Sequence, residues 1–303
     1  MEQTILIHNP GAGDEDHLNT ELVKAIEQEG FGCVYFSVKE DDSWKEQLDQ
    51  ADFAVVAGGD GTIRRVVKEL VQRNALAKKI PIAILPMGTA NNMSKTLGID
   101  NELPRETHIK NWKKSKRQRF DLGVIKNPDT TDFFMESAGY GLFPNLMQAM
   151  DAADKSKVES AKDELKLALE VLHKLVLEAD AEPYSLKTDG KTYEGKCLLL
   201  EVMNIQSIGP NLMLAPQAST ADGVFDVVYV NEEQRQDFAN YIQQLIDDKP
   251  DAAFSYTSFE AKELSIDCSS KYMHLDDELI LPLKNPLALD VRENVLEFLV
   301  VGD

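Results

Sequence analysis

The residues with the greatest chemical potential in this chain are Gly58-Gly59-Asp60-Gly61-Thr62. They follow an apolar run, Phe53 to Ala57, and precede a helical pattern of Ile63, Val66, Val67, Leu70 and Val71. That order reads as buried strand, tight glycine turn and helix N-terminus. Glycines let a backbone approach a ligand closely and adopt positive φ. N–H groups exposed at such a turn attract phosphate oxygens. Asp60 adds a carboxylate that phosphate alone would repel, so a cation or a transferable proton is expected beside it. The chemistry is that of nucleotide phosphates with a metal, hence phosphoryl transfer. Glycine corners that only turn the chain are common, but Gly-Gly-Asp-Gly-Thr as one contiguous block behind a buried strand favours the functional reading. The block does not end in Gly-Lys-Ser/Thr, so the usual phosphate-loop lysine is missing from it.

Two further glycine loops belong with this one. Asn9-Pro10-Gly11-Ala12-Gly13 follows a short apolar strand, Thr4 to His8, and Pro86-Met87-Gly88-Thr89-Ala90-Asn91-Asn92 follows Ile80 to Leu85. Between these strands, helical spacing covers Asp16 to Glu29, Lys45 to Leu48 and Thr62 to Arg73, and Cys33 to Val38 alternates as a strand. Alternating strands and helices imply a parallel sheet with helices on both faces. Ligands of such sheets sit beyond the carboxyl ends of the strands, where all three loops fall.

From about Asp121 the pattern turns β-rich: Phe120 to Lys126, Asp132 to Glu136, Tyr184 to Lys187, Tyr193 to Asn204, Val224 to Val230, Phe254 to Glu260, Glu263 to Cys268, Leu287 to Val291 and Val295 to Val301. Asp189-Gly190, Asp222-Gly223 and Asn285-Pro286 supply turns between them. One long amphipathic helix, Val158 to Glu178, interrupts the series. The fold class expected is therefore α/β: an N-terminal parallel-sheet nucleotide-binding domain, then a C-terminal antiparallel β-sandwich domain with one long helix. The boundary is placed at 1–122 and 123–303, with the last strand a candidate to return to the first domain.

Composition narrows the partners. The chain has 303 residues and a formal net charge of -20, which disfavours nucleic acid and general adhesion to anionic membranes. A basic cluster, Lys110, Lys113, Lys114, Lys116, Arg117 and Arg119, runs against that balance. It suits lipid headgroups or nucleotide phosphates, or else is a solvated surface. Cys33, Cys197 and Cys268 form no metal-ligand pair, and so sparse a set suits a reducing cytoplasm. No run approaches a membrane span, and Met1-Glu2-Gln3-Thr4 does not open a signal peptide.

The three loops, in order, resemble the diacylglycerol kinase catalytic-domain family, which includes bacterial soluble lipid kinases and sphingosine kinases. The matching residues are Asn9-Pro10-x-Ala12-Gly13, Gly58 to Thr62, and Leu85-Pro86-x-Gly88-Thr89-x-Asn91. NAD kinases share the Gly-Gly-Asp-Gly core. Beyond the first domain, Phe120-Asp121-Leu122-Gly123, Pro216-x-Ala218 with Asp222-Gly223, and His274-Leu275-Asp276-Asp277-Glu278 continue the likeness. The resemblance implies an ATP- and Mg2+-dependent kinase acting on a lipid hydroxyl, in the cytoplasm with transient contact at the membrane surface. It implies Asp276 as general base with Glu278 supporting it. Asn9, Gly58, Gly59, Asp60, Gly61, Thr62, Gly88, Thr89 and Asn92 would bind the nucleotide, and Asp60, Asp121 and Asp222 the metal.

The chain departs from the family pattern at four places. Asn92 stands where an Asp is usual, Asp277 where a Gly is usual, and Arg64-Arg65 where Asn-Glu is common. Ser219 replaces a carboxylate that some members use for a structural metal. Three readings stay open at this point: a lipid kinase, a NAD-kinase-like enzyme with a soluble acceptor, and a nucleotide-binding sensor of weak activity.

Overall fold

The architecture is that of a computed structural model, which describes residues 1–12, 19–39, 42–73, 77–126, 131–154, 156, 158–249, 252–281 and 286–301. Gly13, Asp16 to Leu18 and Asn285, which the sequence reading placed in the first loop, the first helix and a late turn, lie outside the described residues.

The chain opens with alternating strands and helices. These are β1 (Gln3–His8), α1 (Asn19–Gln28), β2 (Gly32–Ser37), α2 (Trp44–Gln47), β3 (Phe53–Gly58), α3 (Asp60–Gln72), β4 (Ile82–Pro86), α4 (Asn92–Thr96) and α5 (Arg105–Asn111). Strand β3 is buried along its whole length, as a central parallel strand covered on both faces must be. Helix α1 turns Leu22 and Ile26 inward. Phe31, Phe53 and Trp112 meet with ring centroids 5.4–5.9 Å apart. Helix α3 begins two residues earlier than the hydrophobic period alone implies: Gly59 is its N-cap, so Asp60, Gly61 and Thr62 form its first turn.

Strand β5 (Ser115–Lys126) carries the chain out of this unit. There follow β6 (Thr131–Phe134), β7 (Ser137–Gly141), α6 (Leu142–Ala152), α7 (Ala161–Glu178), β8 (Glu182–Thr188), β9 (Lys191–Met203), β10 (Ser207–Ile208), β11 (Leu212–Met213), β12 (Phe225–Asn231), α8 (Arg235–Ile246), β13 (Thr257–Ala261), β14 (Glu263–Cys268), β15 (Met273–Leu275), β16 (Glu278–Ile280) and β17 (Leu287–Val301). The chain forms two compact units, Met1–Phe120 with Asn294–Asp303, and Asp121–Glu293.

In the first unit the parallel order is β2-β1-β3-β4, with the end of β17 alongside β4 at Phe298 and Ile82. In the second unit the pairing is antiparallel and centres on β9. Its first half pairs with β8, and its second half runs between β7 and β12. Strand β15 pairs with β7 and with β16, and β14 pairs with β8. The core of this unit gathers Phe134, Tyr140, Leu200, Val202, Phe225, Val227, Ile266 and Leu275.

The one long helix expected in the C-terminal part is α7, of 18 residues. Helices α6 and α8 accompany α7, whose start is set at Ser160, where the hydroxyl accepts the Asp163 N–H at 3.2 Å. The two late strands of the sequence reading, 287–291 and 295–301, are one continuous strand, β17.

Candidate functional site

The first unit contains a cavity of about 340 Å³ at the ends of its parallel strands. Its lining comes from the loop after β1 (Asn9, Gly11, Ala12), the end of β2 (Val38), the start of α3 (Gly59, Gly61, Thr62, Arg65) and the loop after β4 (Gly88, Thr89). The three glycine loops singled out from sequence therefore converge. Parallel pairing of β1, β3 and β4 puts their carboxyl ends level, which is why loops distant in sequence share one cavity.

Specific bonds hold the loops. Asn9 donates from Nδ2 to Thr62 Oγ1 at 3.3 Å, and its Oδ1 accepts the Gly11 N–H at 3.2 Å. Asn91 stands at φ 51 and clasps Gly88, accepting its N–H at 2.9 Å and donating to its carbonyl at 2.7 Å. Gly59 and Gly88 touch backbone to backbone: a Cβ on Gly59 would lie 3.0 Å from Gly88 Cα. Gly59 itself has φ -96 and ψ -172. Glycine is required there by close approach, not by a left-handed backbone, which corrects one of the two reasons the sequence offered.

Of the nine residues assigned to the nucleotide, Asn9, Gly59, Gly61, Thr62, Gly88 and Thr89 line the cavity. Gly58, Asp60 and Asn92 are not among its lining. Gly58 is the buried end of β3, in register with Pro86. Asp60 faces helix α4: Oδ2 accepts the Asn92 N–H at 3.0 Å and Oδ1 the Met93 N–H at 3.2 Å. Asn92 is 3% exposed. A carboxylate at the start of a helix satisfies orphan amides and complements the dipole, so Asp60 ties the two loops together through α4.

The other metal candidates also have structural partners. Asp121, 1% exposed, accepts the Gly223 N–H at Oδ2, 2.8 Å away. Asp222 accepts the Val224 N–H at 3.2 Å. Asp60 lies in one unit, Asp121 and Asp222 in the other. Among the described residues no group of three His, Cys, Asp or Glu side chains converges on a metal position.

Asp276 and Asp277 form the two-residue turn between β15 and β16, and Glu278 opens β16, in register with Leu275. The left-handed residue of this turn is Asp276, at φ 53. Asp277 is not left-handed, so an aspartate is accommodated where the family pattern has glycine. The Asp276 carboxylate accepts three backbone N–H groups: Met135 at 3.0 Å, Glu136 at 2.7 Å and Ser137 at 3.2 Å. Its own N–H donates to Ser137 O at 2.9 Å. Oδ1 accepts all three of these N–H groups, and Oδ2 also accepts the Met135 N–H at 3.0 Å. Such a carboxylate is fixed in direction.

Beneath the turn lies a pair that the sequence reading passed over. Glu201, 0% exposed, faces His274 Nε2 at 2.9 Å and 3.1 Å. His274 Nδ1 donates to Asp276 O at 2.9 Å. Because a carbonyl only accepts, Nδ1 carries a hydrogen, and Nε2 and Glu201 share one further proton. Burial pushes the Glu201 carboxyl up, and the Glu201 carboxylate in turn raises the His274 imidazole against its own burial. The sequence does contain a signal. Glu201 stands inside the run Leu198 to Met203, where an acid at a buried strand position demands a partner.

Comparisons with known proteins agree with this architecture. Residues 3–125 match the family model of the diacylglycerol kinase catalytic domain. Residues 147–300, more than half of the chain, match that of the YegS C-terminal NAD kinase beta sandwich-like domain. A Bacillus subtilis protein named diacylglycerol kinase is 27% identical over 254 residues, covering 78% of this chain and 77% of its own length. A crystal structure titled as a diacylglycerol kinase from Bacillus anthracis superposes with a TM-score of 0.75 at 22% identity, over 99% of this chain and 97% of that one. An NAD kinase from Archaeoglobus fulgidus, solved with ATP, superposes with a TM-score of 0.53 at 15% identity, over 98% and 92%. The two structural likenesses concern the fold.

Proposed function

We propose that this chain, which belongs to the diacylglycerol kinase catalytic-domain family, transfers the γ-phosphate of ATP to the hydroxyl of a diacylglycerol-like lipid. Family membership makes it a phosphotransferase with an alcohol acceptor. The observation that carries the proposal is the cavity in the first unit, where the three glycine loops, one of them running into the first turn of α3, line one space. Amides at a helix start suit phosphate oxygens, and a preorganised cradle lowers the barrier to phosphoryl transfer by positioning and charge stabilisation.

In this reading Asn9, Gly59, Gly61, Thr62, Gly88 and Thr89 hold the nucleotide. Asp60 and Asn92 keep the β3 and β4 loops in register beneath it. Asp276 takes the proton of the acceptor hydroxyl, its carboxylate already aimed by three amides, and Glu278 supports it from the first position of β16. A magnesium ion bound with the nucleotide would neutralise the phosphates, usually with one or two carboxylates beside it, and of the three metal candidates Asp60 belongs to the unit that holds the cavity. No step here depends on a protein cage for the ion.

The basic edge supports a transient contact with anionic lipid. Lys113 pairs with Glu29 and Arg117 with Glu297, while Lys110, Lys114, Lys116 and Arg119 are exposed. Among the described residues no helix is long and apolar enough to cross a membrane, so a lipid substrate would be met at the bilayer surface.

The test is a panel of acceptors incubated with γ-labelled ATP: diacylglycerol, phosphatidylglycerol and a sphingoid base in mixed micelles, and NAD in solution. Label in a lipid product supports the proposal. Label in NADP alone would turn the reading to the soluble-acceptor enzyme. Tight ATP binding with no labelled product would leave a nucleotide sensor.

A further inference from the structure

We infer that Arg65 is a phosphate-binding residue of the nucleotide cavity, supplying the positive charge that a lysine provides in lysine-bearing phosphate loops. The inference rests on the kinase reading and assigns a role to a residue that reading does not use. Among the described residues, Arg65 is the one charged side chain that lines the cavity. Backbone amides orient phosphate but bring only partial charges. A nucleoside triphosphate must also approach a protein of net charge -20, so a local cation has to offset the general field.

The position of Arg65 follows from helix geometry. Gly61 and Arg65 are four residues apart on α3 and share one face. Gly61 has no side chain, so that face stays open between the first turn and the arginine. Long helical side chains lean toward the N-terminus of their own helix, here toward the amides of the cradle. The guanidinium is held in place: Nη1 donates to Val38 O at 2.8 Å and Nη2 to Asp42 Oδ1 at 2.7 Å. An arginine has five N–H donors in a fixed fork, so these two bonds orient the group and leave others to turn toward a ligand.

Asp42 does not cancel the charge. Its carboxylate is half-exposed and is shared with Lys45, 3.1 Å away. A second cation is near the lining: Lys39 Nζ packs against Gly11 so closely that a Cβ there would collide with it.

Calorimetry on the whole chain tests the assignment, with adenosine, AMP, ADP and ATP titrated at low and at physiological salt. In the native protein, affinity should climb with each added phosphate, and the climb should shrink with salt. Arg65→Gln should weaken ATP about ten- to hundredfold, as expected for losing a charge-assisted hydrogen bond, and leave adenosine unchanged. Arg65→Lys should retain part of the affinity, and Arg65→Glu should lose more than Arg65→Gln. The melting temperature should hold in all three, because the side chain is 46% exposed.

Unchanged ATP affinity in Arg65→Gln would overturn the inference while leaving the kinase reading intact. Equal losses for adenosine and ATP would also overturn it, making Arg65 an anchor for the β2 end. Failure of the native protein to bind ATP at all would remove the kinase reading and this inference with it.

Discussion

At the scale of single residues, two contacts decide the account. The first is Gly59 against Gly88. A β-branched side chain at either position separates the loops that line the cavity. Gly59→Val should abolish ATP binding and lower the melting temperature by a few degrees, with the circular dichroism spectrum retained. Native-like ATP affinity in that variant, measured by calorimetry, would contradict the cradle. The second is the Asp276 carboxylate with its three amide donors. Asp276→Asn removes basicity, which a general base contributes at about 10²–10⁴-fold in rate. From the sequence alone this change should leave stability untouched. The structure revises that, because an amide cannot accept at both of its terminal atoms. We therefore expect a fall in turnover together with a loss of about 1–3 kcal/mol of stability, read by urea denaturation, and near-native ATP affinity. Full turnover in Asp276→Asn would remove the base from this turn.

At the scale of elements, the first unit was largely legible because its signals are local. A buried strand such as β3 has an apolar run, and its loop has glycines, so strand, turn and helix start are all written within about ten residues. The helices of the second unit were legible only where the polar face is marked. Helix α7 alternates charge and apolar residues and was found. Helix α6 begins Leu142-Phe143-Pro144 and α8 carries Phe238, Tyr241 and Ile242, residues that suit strands as well. In these two, tertiary packing chose the helix. The Glu201–His274 pair lay beyond sequence reading for a different reason: its members are distant in the chain and meet only through the pairing of β7 with both β9 and β15.

That pair also makes a prediction for these strands. His274→Leu strands a buried carboxylate and should cost about 3–5 kcal/mol, whereas the double change Glu201→Met with His274→Leu should recover most of it. Equal losses in the single and double variants would show that the two residues are not coupled. On β12, Asp226 lies in register with Glu260 of β13, and burial, then Glu260 and Asp222, push its carboxyl up to about 6. The unfolded value is about 3.9, so the folded state binds this proton more tightly. Stability therefore falls as pH rises from about 4 to about 6, and the full penalty applies above that range. Asp226→Asn should raise the melting temperature at pH 7.5 and lose that advantage by pH 4. A pH-independent difference would show that charge is not the cause.

At the scale of the whole molecule, the chain divides its labour between two units joined through β5 and β17. One unit carries the cavity lined by the glycine loops and the other the acidic turn at Asp276. The central claim is that phosphate leaves ATP for a lipid hydroxyl. The most direct measurement is the initial rate of label transfer from γ-labelled ATP to diacylglycerol in mixed micelles, for the native protein beside Gly59→Val and Asp276→Asn. The account predicts labelled phospholipid from the native protein, none from Gly59→Val, and a rate at least about a hundredfold lower from Asp276→Asn. Labelled lipid formed equally by all three proteins, or label recovered only in a soluble product, would contradict it.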